Sequence, residues 1–494
     1  MADTMEVMED VAVNDLGLSL FPNQVIVVSH LGMLDAYAHG GMPALYPHWS
    51  FGKKWKELEF RLKNGDLHLA YEMIVPTNPC ISWNMASNNM ATMAGVLAHA
   101  AFGHNHVFRN NHVFKKWTHS SVLADYCTLA RDTILAFEAQ YGEDEVEEVL
   151  DAAHALQIPG GFFRFEEPPA FDLKEERKRL ADKMRALEAS IDPELIDVIP
   201  GLRDKLTQAP ELPKDSPVYP QENILYFIER YSPRLQAWER EVIRIVRTIA
   251  QQTMYPYLLT KTLNEGAAEF IGGYLMGKLY EKGYIDGGTV IDQARVEAGV
   301  NYQADMRETG KLEAHLNPYA LGLSIFKEIV RISGIEEHEK LFFKGWIDTD
   351  GPTEEDRKWF SWAGDRQWRT RLRHAWADYT DQTLIEQYLS PRLMRELKLF
   401  VVRDEGRHYV VTDTLHERTP SRTGYEAIRA KLADSYALDA RIPRVEVVGA
   451  DLLDERTLKL RYVPREGMTL KEESAVSVLE HAERLWGYKV SLDA

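Results

Sequence analysis

Histidines are concentrated in one part of the sequence, and they are numerous enough there to do chemistry. Ten of the 16 histidines lie between His30 and His154, and five of those fall within 99–119. Imidazole binds transition metals and moves protons near neutral pH, so clustered histidines indicate a metal site or acid–base work. The first candidates are His99 and His104, at the end of an apolar, helix-like segment.

The spacing of this pair decides what it can bind. Two histidines five residues apart are similar to the His-Glu-x-x-His zinc helix but do not match it. In a regular α-helix a five-residue step turns the second imidazole roughly 140° away from the first. A π-bulge, or a helix that opens at Gly103, would bring His99 and His104 together. Ala100 stands where the zinc helix carries its general base, so a base must come from elsewhere.

A second motif supplies a possible third ligand. The string Asn264-Glu265-Gly266-Ala267-Ala268 resembles the third-ligand helix of gluzincin metallopeptidases, in which a glutamate completes a zinc site. The resemblance implies that His99, His104 and Glu265 hold Zn²⁺, or another divalent metal, in a gluzincin-like helical core. The alternative is a salt-bridged helix with buried histidines bonded to backbone carbonyls.

Two further side chains are candidate proton carriers. His154 follows Asp151 by one helical turn, so the carboxylate can orient the imidazole. Glu241 lies in an amphipathic segment, where an inward carboxylate could act as a base or a fourth ligand. The alternatives are a plain surface pair for His154 and a solvent-exposed position for Glu241.

The elements that must position these residues are mostly helices. Apolar residues at three- and four-residue spacing predict helices from residue 88 to residue 389. The predicted segments are 88–103, 120–141, 143–157, 172–190, 222–254, 257–281, 318–333 and 365–389.

Near residue 395 the pattern changes from helical to mixed. Residues 396–494 predict a hairpin, a helix, a second hairpin, a helix and a final strand, which form an α+β sheet with helices on one face. The fold class is therefore a large, mainly α-helical N-terminal domain over 1–395 and a small α+β C-terminal domain. Prolines in 202–222 predict an extended linker between helical lobes at 21–200 and 222–395.

Composition excludes several functional classes. A formal charge of −18 over 494 residues argues against nucleic acid as a main partner. Cys80 and Cys127 are too few for a disulfide framework, which favours reduced, intracellular thiols. No apolar run approaches the roughly 20 residues that span a bilayer, and no lysine or arginine precedes Lys53 to start a signal peptide. We expect a cytoplasmic protein.

A set of short strings follows in a fixed order along the chain. The strings are Gly41-Met42-Pro43, Tyr46-Pro47-His48-Trp49-Ser50-Phe51-Gly52-Lys53, Ala98-His99-Ala100, Gly103-His104-Asn105, His154-Ala155-Leu156, Asn264-Glu265-Gly266, Asn317-Pro318-Tyr319-Ala320-Leu321-Gly322 and Leu485-Trp486-Gly487. Together they resemble the stage V sporulation protein R (SpoVR) family, and the resemblance runs from about Phe21 to the C-terminus.

The resemblance implies a setting rather than a reaction. The family is associated with spore cortex formation, sporulation and stress response. It also implies a PrkA-type serine protein kinase and a von Willebrand A-like protein as partners. The sequence departs from the family in two ways. We expect the helix that usually precedes Phe21 to be missing. Ala86 and Ser87 stand where family members often have acidic residues, and Ala153 stands where a cysteine is common.

Two functions follow from these observations. The first is a metal-dependent hydrolase of an amide or ester, with the metal on His99, His104 and Glu265 and with Glu241 or His154 as proton carrier. The second is a non-enzymatic regulatory or assembly protein that works with the kinase and the von Willebrand A-like partner. A degenerate fold that keeps a metal for stability alone is a third possibility.

Overall fold

The computed structural model describes most of the chain. It covers residues 2–42, 45–64, 72–162, 172, 174–179, 181–182, 185, 217–303, 316–404, 409–413, 424–465 and 471–493. Much of the predicted linker at 202–222 lies outside the described residues, as does about half of the helix predicted at 172–190.

Helices make up most of the described chain. In order they are α1 (Ala2–Asn14), α2 (His30–Ala38), α3 (Trp49–Lys63), α4 (Met90–Leu97), the π-helix π1 (Ala98–His104), α5 (Asn105–Asn110), α6 (His112–Trp117), α7 (Leu123–Tyr141), α8 (Glu143–Gly160), α9 (Ile224–Tyr231), α10 (Ala237–Glu281), α11 (Gly287–Val300), α12 (Pro318–Ser333), a 3₁₀ turn (Glu337–Glu339), α13 (Lys340–Phe343), α14 (Glu354–Trp359), α15 (Trp368–Asp378), α16 (Asp381–Tyr388), α17 (Pro391–Glu396), α18 (Tyr425–Ser435), α19 (Leu438–Arg441) and α20 (Glu472–Trp486).

The strands form three small sheets. Strands β1 (Asn23–Val28), β2 (Glu72–Val75) and β3 (Cys80–Met85) have the order β1-β3-β2, with β1 parallel and β2 antiparallel to β3. Strands β4 (Phe400–Asp404) and β5 (Tyr409–Asp413) form an antiparallel pair. Strands β6 (Arg444–Ala450), β7 (Leu458–Val463) and β8 (Val490–Asp493) have the order β6-β7-β8, with β8 parallel to β7.

The chain divides into two compact units built from interleaved segments. The first unit holds Met1–Tyr37, Leu67–Thr118 and Pro256–Ala437, and the second holds Ala38–Asp66, His119–Tyr255 and Leu438–Ala494. This division differs from the predicted boundary at residue 395, which stays a prediction about independently folding domains.

The core of the first unit explains why it reaches residue 437. Side chains from α1, π1, the second half of α10, α12 and α15 pack in one apolar cluster. Ile428, Leu432 and Ala433 of α18 are buried in the same cluster. Their burial removes apolar surface from water, which stabilises α18 in this unit.

The second unit combines α7, α8, α9 and the first half of α10 with the β6-β7-β8 sheet. Helix α20 packs on α8, and Arg484 forms an ion pair with Glu148 across that contact. Ser232 donates to the carbonyls of Leu485 and Trp486, which holds the end of α20 against the residues after α9.

The predicted fold class is confirmed, and three local differences stand out. A helix does precede Phe21, so the expectation that it is missing was wrong; Met8, Val11, Ala12 and Leu16 bury its apolar face. The long predicted helices at 222–254 and 365–389 each divide in two. The C-terminal strands form two separate sheets, because β4 and β5 pair only with each other among the described strands.

No described helix is both long enough and apolar enough to cross a membrane.

Candidate metal centre

The two histidines meet because the helix between them is a π-helix. Backbone hydrogen bonds in π1 run to the fifth residue, so side chains five apart return to nearly the same face. The ring centroids of His99 and His104 lie 4.7 Å apart, with an interplanar angle of 80°. The prediction that an irregular helix would be needed is confirmed, and its form is a full π segment.

Small residues let π1 approach the helix that carries Glu265. A Cβ added at Gly103 would collide with the backbone of Ala268 on α10. Two residues earlier on α10, a Cβ at Gly266 would collide with the backbone of Gly322 on α12. Glycine is required at these positions because a side chain would force the helices apart.

A kink and a carboxylate set where the second half of α10 begins. Thr260 has a non-helical conformation (φ −133°, ψ 16°), one turn after Pro256. The carboxylate of Asp381 accepts hydrogen bonds from the backbone N–H groups of Thr262 and Leu263 at 3.0 and 2.8 Å. These N–H groups are free at a helix start, so Asp381 acts as a cap that fixes the rotation of Glu265 about the helix axis.

The resulting distances suit a shared ion better than direct hydrogen bonds. Glu265 Oε2 lies 3.5 Å from His104 Nε2 and 3.9 Å from His99 Nε2. Glu72 Oε1, on β2, lies 3.5 Å from His99 Nε2. A tetrahedral ion with bonds of about 2.1 Å holds its ligand atoms roughly 3.4 Å apart. One ligand atom each from Glu72, His99 and His104 lies within 4.8 Å of the others, so these three form a possible metal-binding cluster.

Two carboxylate oxygens of the same cluster lack hydrogen bonds, which also favours a metal ion there. Among the described residues, Glu72 Oε2 and Glu265 Oε2 are buried and have no hydrogen-bond partner. A buried carboxylate oxygen without a donor is costly, and a cation beside it removes that cost. The donor set of two imidazoles and carboxylates is typical of zinc and of other divalent transition metals. The residues present therefore fit a metal ion.

A second carboxylate holds His99 from its other nitrogen. Glu269 Oε1 lies 3.2 Å from His99 Nδ1, and Asn301 Nδ2 donates to Glu269 Oε2 at 2.7 Å. A carboxylate on the far nitrogen of a metal-binding histidine fixes its tautomer and orientation. His99 is thus oriented with Nε2 towards Glu72 and Glu265.

Burial and the neighbouring charges strongly shift the pKa values of the side chains in the cluster. Burial lowers the pKa of His104 to about 4, so this imidazole is neutral and able to bind a metal at pH 7. Burial also opposes a charge on His99, but the carboxylates of Glu72, Glu265 and Glu269 outweigh it and raise the pKa of His99 well above its ordinary value.

The pKa values of the two carboxyl groups nearest the imidazoles are shifted in opposite directions. Burial raises the pKa of Glu72 to about 8, against the attraction of His99. Burial acts in the same direction on Glu265, but His99, His104 and Tyr319 outweigh it and lower the pKa of Glu265. Two carboxyl groups with opposite shifts in one site are a common arrangement where one binds and the other exchanges a proton.

The cluster lines a cavity of about 440 Å³ within the first unit. Its volume suits a small organic group, and its wall combines apolar residues with the polar cluster. The lining side chains include Tyr37, Met73, Ile74, Val96, Tyr257, Gln293, Val296, Glu297, Val300 and Tyr319, together with the four glutamate and histidine side chains named above and Glu269.

The two predicted proton carriers do not line this cavity. Glu241 belongs to the second unit, where it is buried and forms an ion pair with Arg179. His154 also belongs to the second unit, and its Nε2 lies 2.8 Å from the hydroxyl of Tyr46. Burial, and then the neighbouring His48, lower the pKa of His154 to about 3, which makes it a poor proton carrier at neutral pH.

Sequence reasoning missed Glu72 and Glu269. Glu269 follows Glu265 by four residues, so helical spacing could have placed both on one face of α10. Glu72 lies alone on a short strand, with no motif around it, and only the tertiary structure brings it to His99.

Comparison with known proteins places the chain in a family. Residues 1–441 match the family described as SpoVR like protein, and residues 443–494 match the SpoVR-like C-terminal domain. The chain belongs to the SpoVR family. The resemblance found in its sequence is confirmed, and the family boundary at 441–443 lies about 45 residues after the predicted one.

One relative is similar over nearly the whole chain. The Escherichia coli (strain K12) protein named "Uncharacterized protein YcgB" is 36% identical over 477 residues, which is 96% of this SpoVR chain and 88% of that protein. No solved structure matches the chain. The predicted likeness to a gluzincin core therefore stays a prediction.

Proposed function

We propose that this SpoVR protein is a zinc-dependent hydrolase that cleaves an amide or ester bond. His99, His104 and Glu265 would hold the ion, and Glu72 would be the base. One observation carries the proposal: the π-helix brings two imidazole nitrogens within 3.5 and 3.9 Å of a single carboxylate oxygen of Glu265, at the wall of a cavity.

The residues around the ion have separate tasks. A zinc ion bound there would lower the pKa of a bound water towards about 7 and polarise a carbonyl group. The positive charge of the zinc ion would lower the pKa of Glu72 from about 8 and keep it a carboxylate. Glu72, whose Oε1 lies 3.5 Å from His99 Nε2, would then accept the proton of the attacking water and pass it to the leaving group. Glu269 would keep His99 in its tautomer, and Tyr319, which interacts with Glu265, would stabilise negative charge on the substrate oxygen.

Glu72 answers the main sequence objection to a hydrolase. The zinc-peptidase helix carries its base beside the first histidine, and this chain has Ala100 there. The structure supplies a carboxylate from β2 instead. In this proposal Glu72 would take the role of proton carrier that was predicted for Glu241 or His154.

Metal content of the purified protein tests the ligand set. We expect about one equivalent of zinc after dialysis in the wild type, and less than about a tenth in His104→Ala and Glu265→Gln, because each removes a ligand from a three-ligand site. His338→Ala, an exposed histidine of the same unit, should keep the full equivalent. A wild type without metal, or variants that keep it, would overturn the proposal.

Glu72→Gln separates a base from a fourth ligand. If Glu72 is the base, the Glu72→Gln variant should keep one equivalent of zinc. Its rate of hydrolysis of a panel of fluorogenic amides and esters should fall by about 10²- to 10⁴-fold. Glu281→Gln, on the exposed end of α10, is the matched control. If Glu72→Gln loses the metal, Glu72 closes the coordination sphere and the site is structural rather than hydrolytic.

A further inference from the structure

Helix α11 forms one wall of the cavity with a single face. Gln293, Val296, Glu297 and Val300 follow one another at helical spacing, and all four line the cavity. No residue of α11 is buried. The helix therefore directs two apolar and two polar side chains at the cavity while the rest of its surface stays open.

One polar atom of this wall is a hydrogen-bond acceptor without a donor. Gln293 Nε2 donates to Glu297 Oε1 at 3.3 Å, which leaves Gln293 Oε1 buried and without a donor among the described residues. The carboxylate of Glu269, which is 8% exposed, repels the carboxylate of Glu297. A buried acceptor requires a donor, so a ligand that binds at this wall has to supply an N–H group.

The charge of the cavity points to the same kind of group. Four of the 16 described lining residues are glutamates, and none of the 16 is a lysine or an arginine. Lys327 interacts with Glu297 and Glu269 but does not line the cavity. Such a cavity repels phosphate and carboxylate groups and attracts a cation.

We propose that this wall binds the ammonium group of an aminoacyl amide or ester, with Glu297 and Gln293 as the residues that recognise it. The proposal rests on the proposed function and adds the substrate class to it. The amine donates to Gln293 Oε1 and to the carboxylate of Glu297, and Val96, Val296 and Val300 contact the hydrocarbon part of the substrate. The ammonium group supplies the donor that Gln293 Oε1 lacks and a positive charge beside the glutamates of the cavity.

Binding of two zinc-chelating probes to the zinc-loaded protein tests this inference without catalysis. L-Leucine hydroxamate carries a free amine, and N-acetyl-L-leucine hydroxamate does not; both bind zinc through the hydroxamate. We expect calorimetry to show about tenfold tighter binding of the free amine, since one charged hydrogen bond contributes about 1.4 kcal/mol or more. Glu297→Gln and Gln293→Leu should each abolish most of this preference.

Asp292→Asn is the matched control, because it removes one charge from an exposed position of the same helix. It should keep the tenfold preference. Equal binding of the two probes by the wild type, or a preference that survives Glu297→Gln, would overturn the amine site while the metal site stands.

Two other outcomes would test the metal site and the amine site separately. A protein that holds zinc but binds neither probe has no open coordination position, so the proposed function fails and the amine site fails with it. Two equivalents of zinc in the wild type and one in Glu297→Gln would show that a second metal ion, rather than an amine, satisfies the acceptors. That result would overturn the inference and leave the first metal site intact.

Discussion

At the scale of single residues, the chemistry of the site depends on what surrounds each imidazole. His99 lies between carboxylates on both of its nitrogens, so it is held in one orientation and electrically balanced. His104 is buried beside Glu265 and stays neutral at pH 7. His154 is also neutral, but its partner is the hydroxyl of Tyr46 and it belongs to the second unit. The same residue type thus has different roles because its neighbours differ.

We predict that His154 makes the protein sensitive to acid. Its pKa falls from 6.5 to about 3 in the folded chain, chiefly through burial, so the folded state favours the neutral form. The stability from this group is fully present above pH 6.5 and is lost as the pH falls towards 3. Between pH 6.5 and 4.5 the loss is roughly 2 kcal/mol.

Denaturant unfolding of His154→Gln at several pH values checks this prediction. The variant should lose less of its free energy of unfolding than the wild type over that pH range, whatever its stability at pH 7. His481→Gln, on α20 of the same unit, should follow the wild type. Equal slopes for the wild type and His154→Gln would contradict the pKa shift.

At the scale of elements, the site is an irregular helix held against a kinked one. A regular α-helix over 98–104 would direct His99 and His104 to different sides. The π-helix, the break at Thr260 and the cap from Asp381 together aim the imidazoles and Glu265 at one point. The glycines at the contacts with α10 and α12 set the distance between these helices.

We predict that Gly103→Ala weakens both the fold and the metal site. The added methyl group collides with the backbone of Ala268, so π1 must move from α10 at a cost of about 1–3 kcal/mol. Thermal unfolding and zinc titration measure the two effects, and we expect at least tenfold weaker zinc binding.

Gly299→Ala is the control for the change from glycine to alanine. Its Cβ meets nothing within 4 Å, so it should leave zinc affinity unchanged and stabilise α11 by up to about 1 kcal/mol. If Gly103→Ala binds zinc as tightly as the wild type, the close contact at residue 103 does not position the histidines.

At the scale of the whole molecule, the candidate site belongs to one of two interleaved units. Glu72, His99, His104 and Glu265 come from distant parts of the chain, yet all lie in the first unit. An ion held by His99, His104 and Glu265 would therefore link π1 and α10 in the folded state only. The kinase and the von Willebrand A-like protein that the family resemblance implies stay predictions about partners.

We predict that zinc stabilises the protein and that a chelator reverses the effect. Free zinc at about 100 times its dissociation constant adds roughly 2.7 kcal/mol to the folded state. Calorimetric melting with zinc and with a chelator measures the shift, which should be absent in Glu265→Gln and unchanged in Glu281→Gln. A wild type whose melting is the same in both conditions would argue against the site.

The sequence by itself determined the helical character of the chain, its family and the identity of three candidate ligands. Periodicity and capping are local, so α12 was predicted at 318–333 with the bounds that the structure shows. The five-residue spacing of His99 and His104 also required an irregular helix, because the angle per residue in an α-helix is fixed.

Only the tertiary structure decided what completes the site and what does not belong to it. Glu72 reaches His99 through strand pairing and helix packing across 27 positions of the chain, and no local pattern records such a contact. Glu241 carries an inward carboxylate of the kind sought, but Arg179 pairs with it in the other unit. Residue type and spacing fix the direction of a side chain within its own element; the packing of elements fixes which side chain lies opposite.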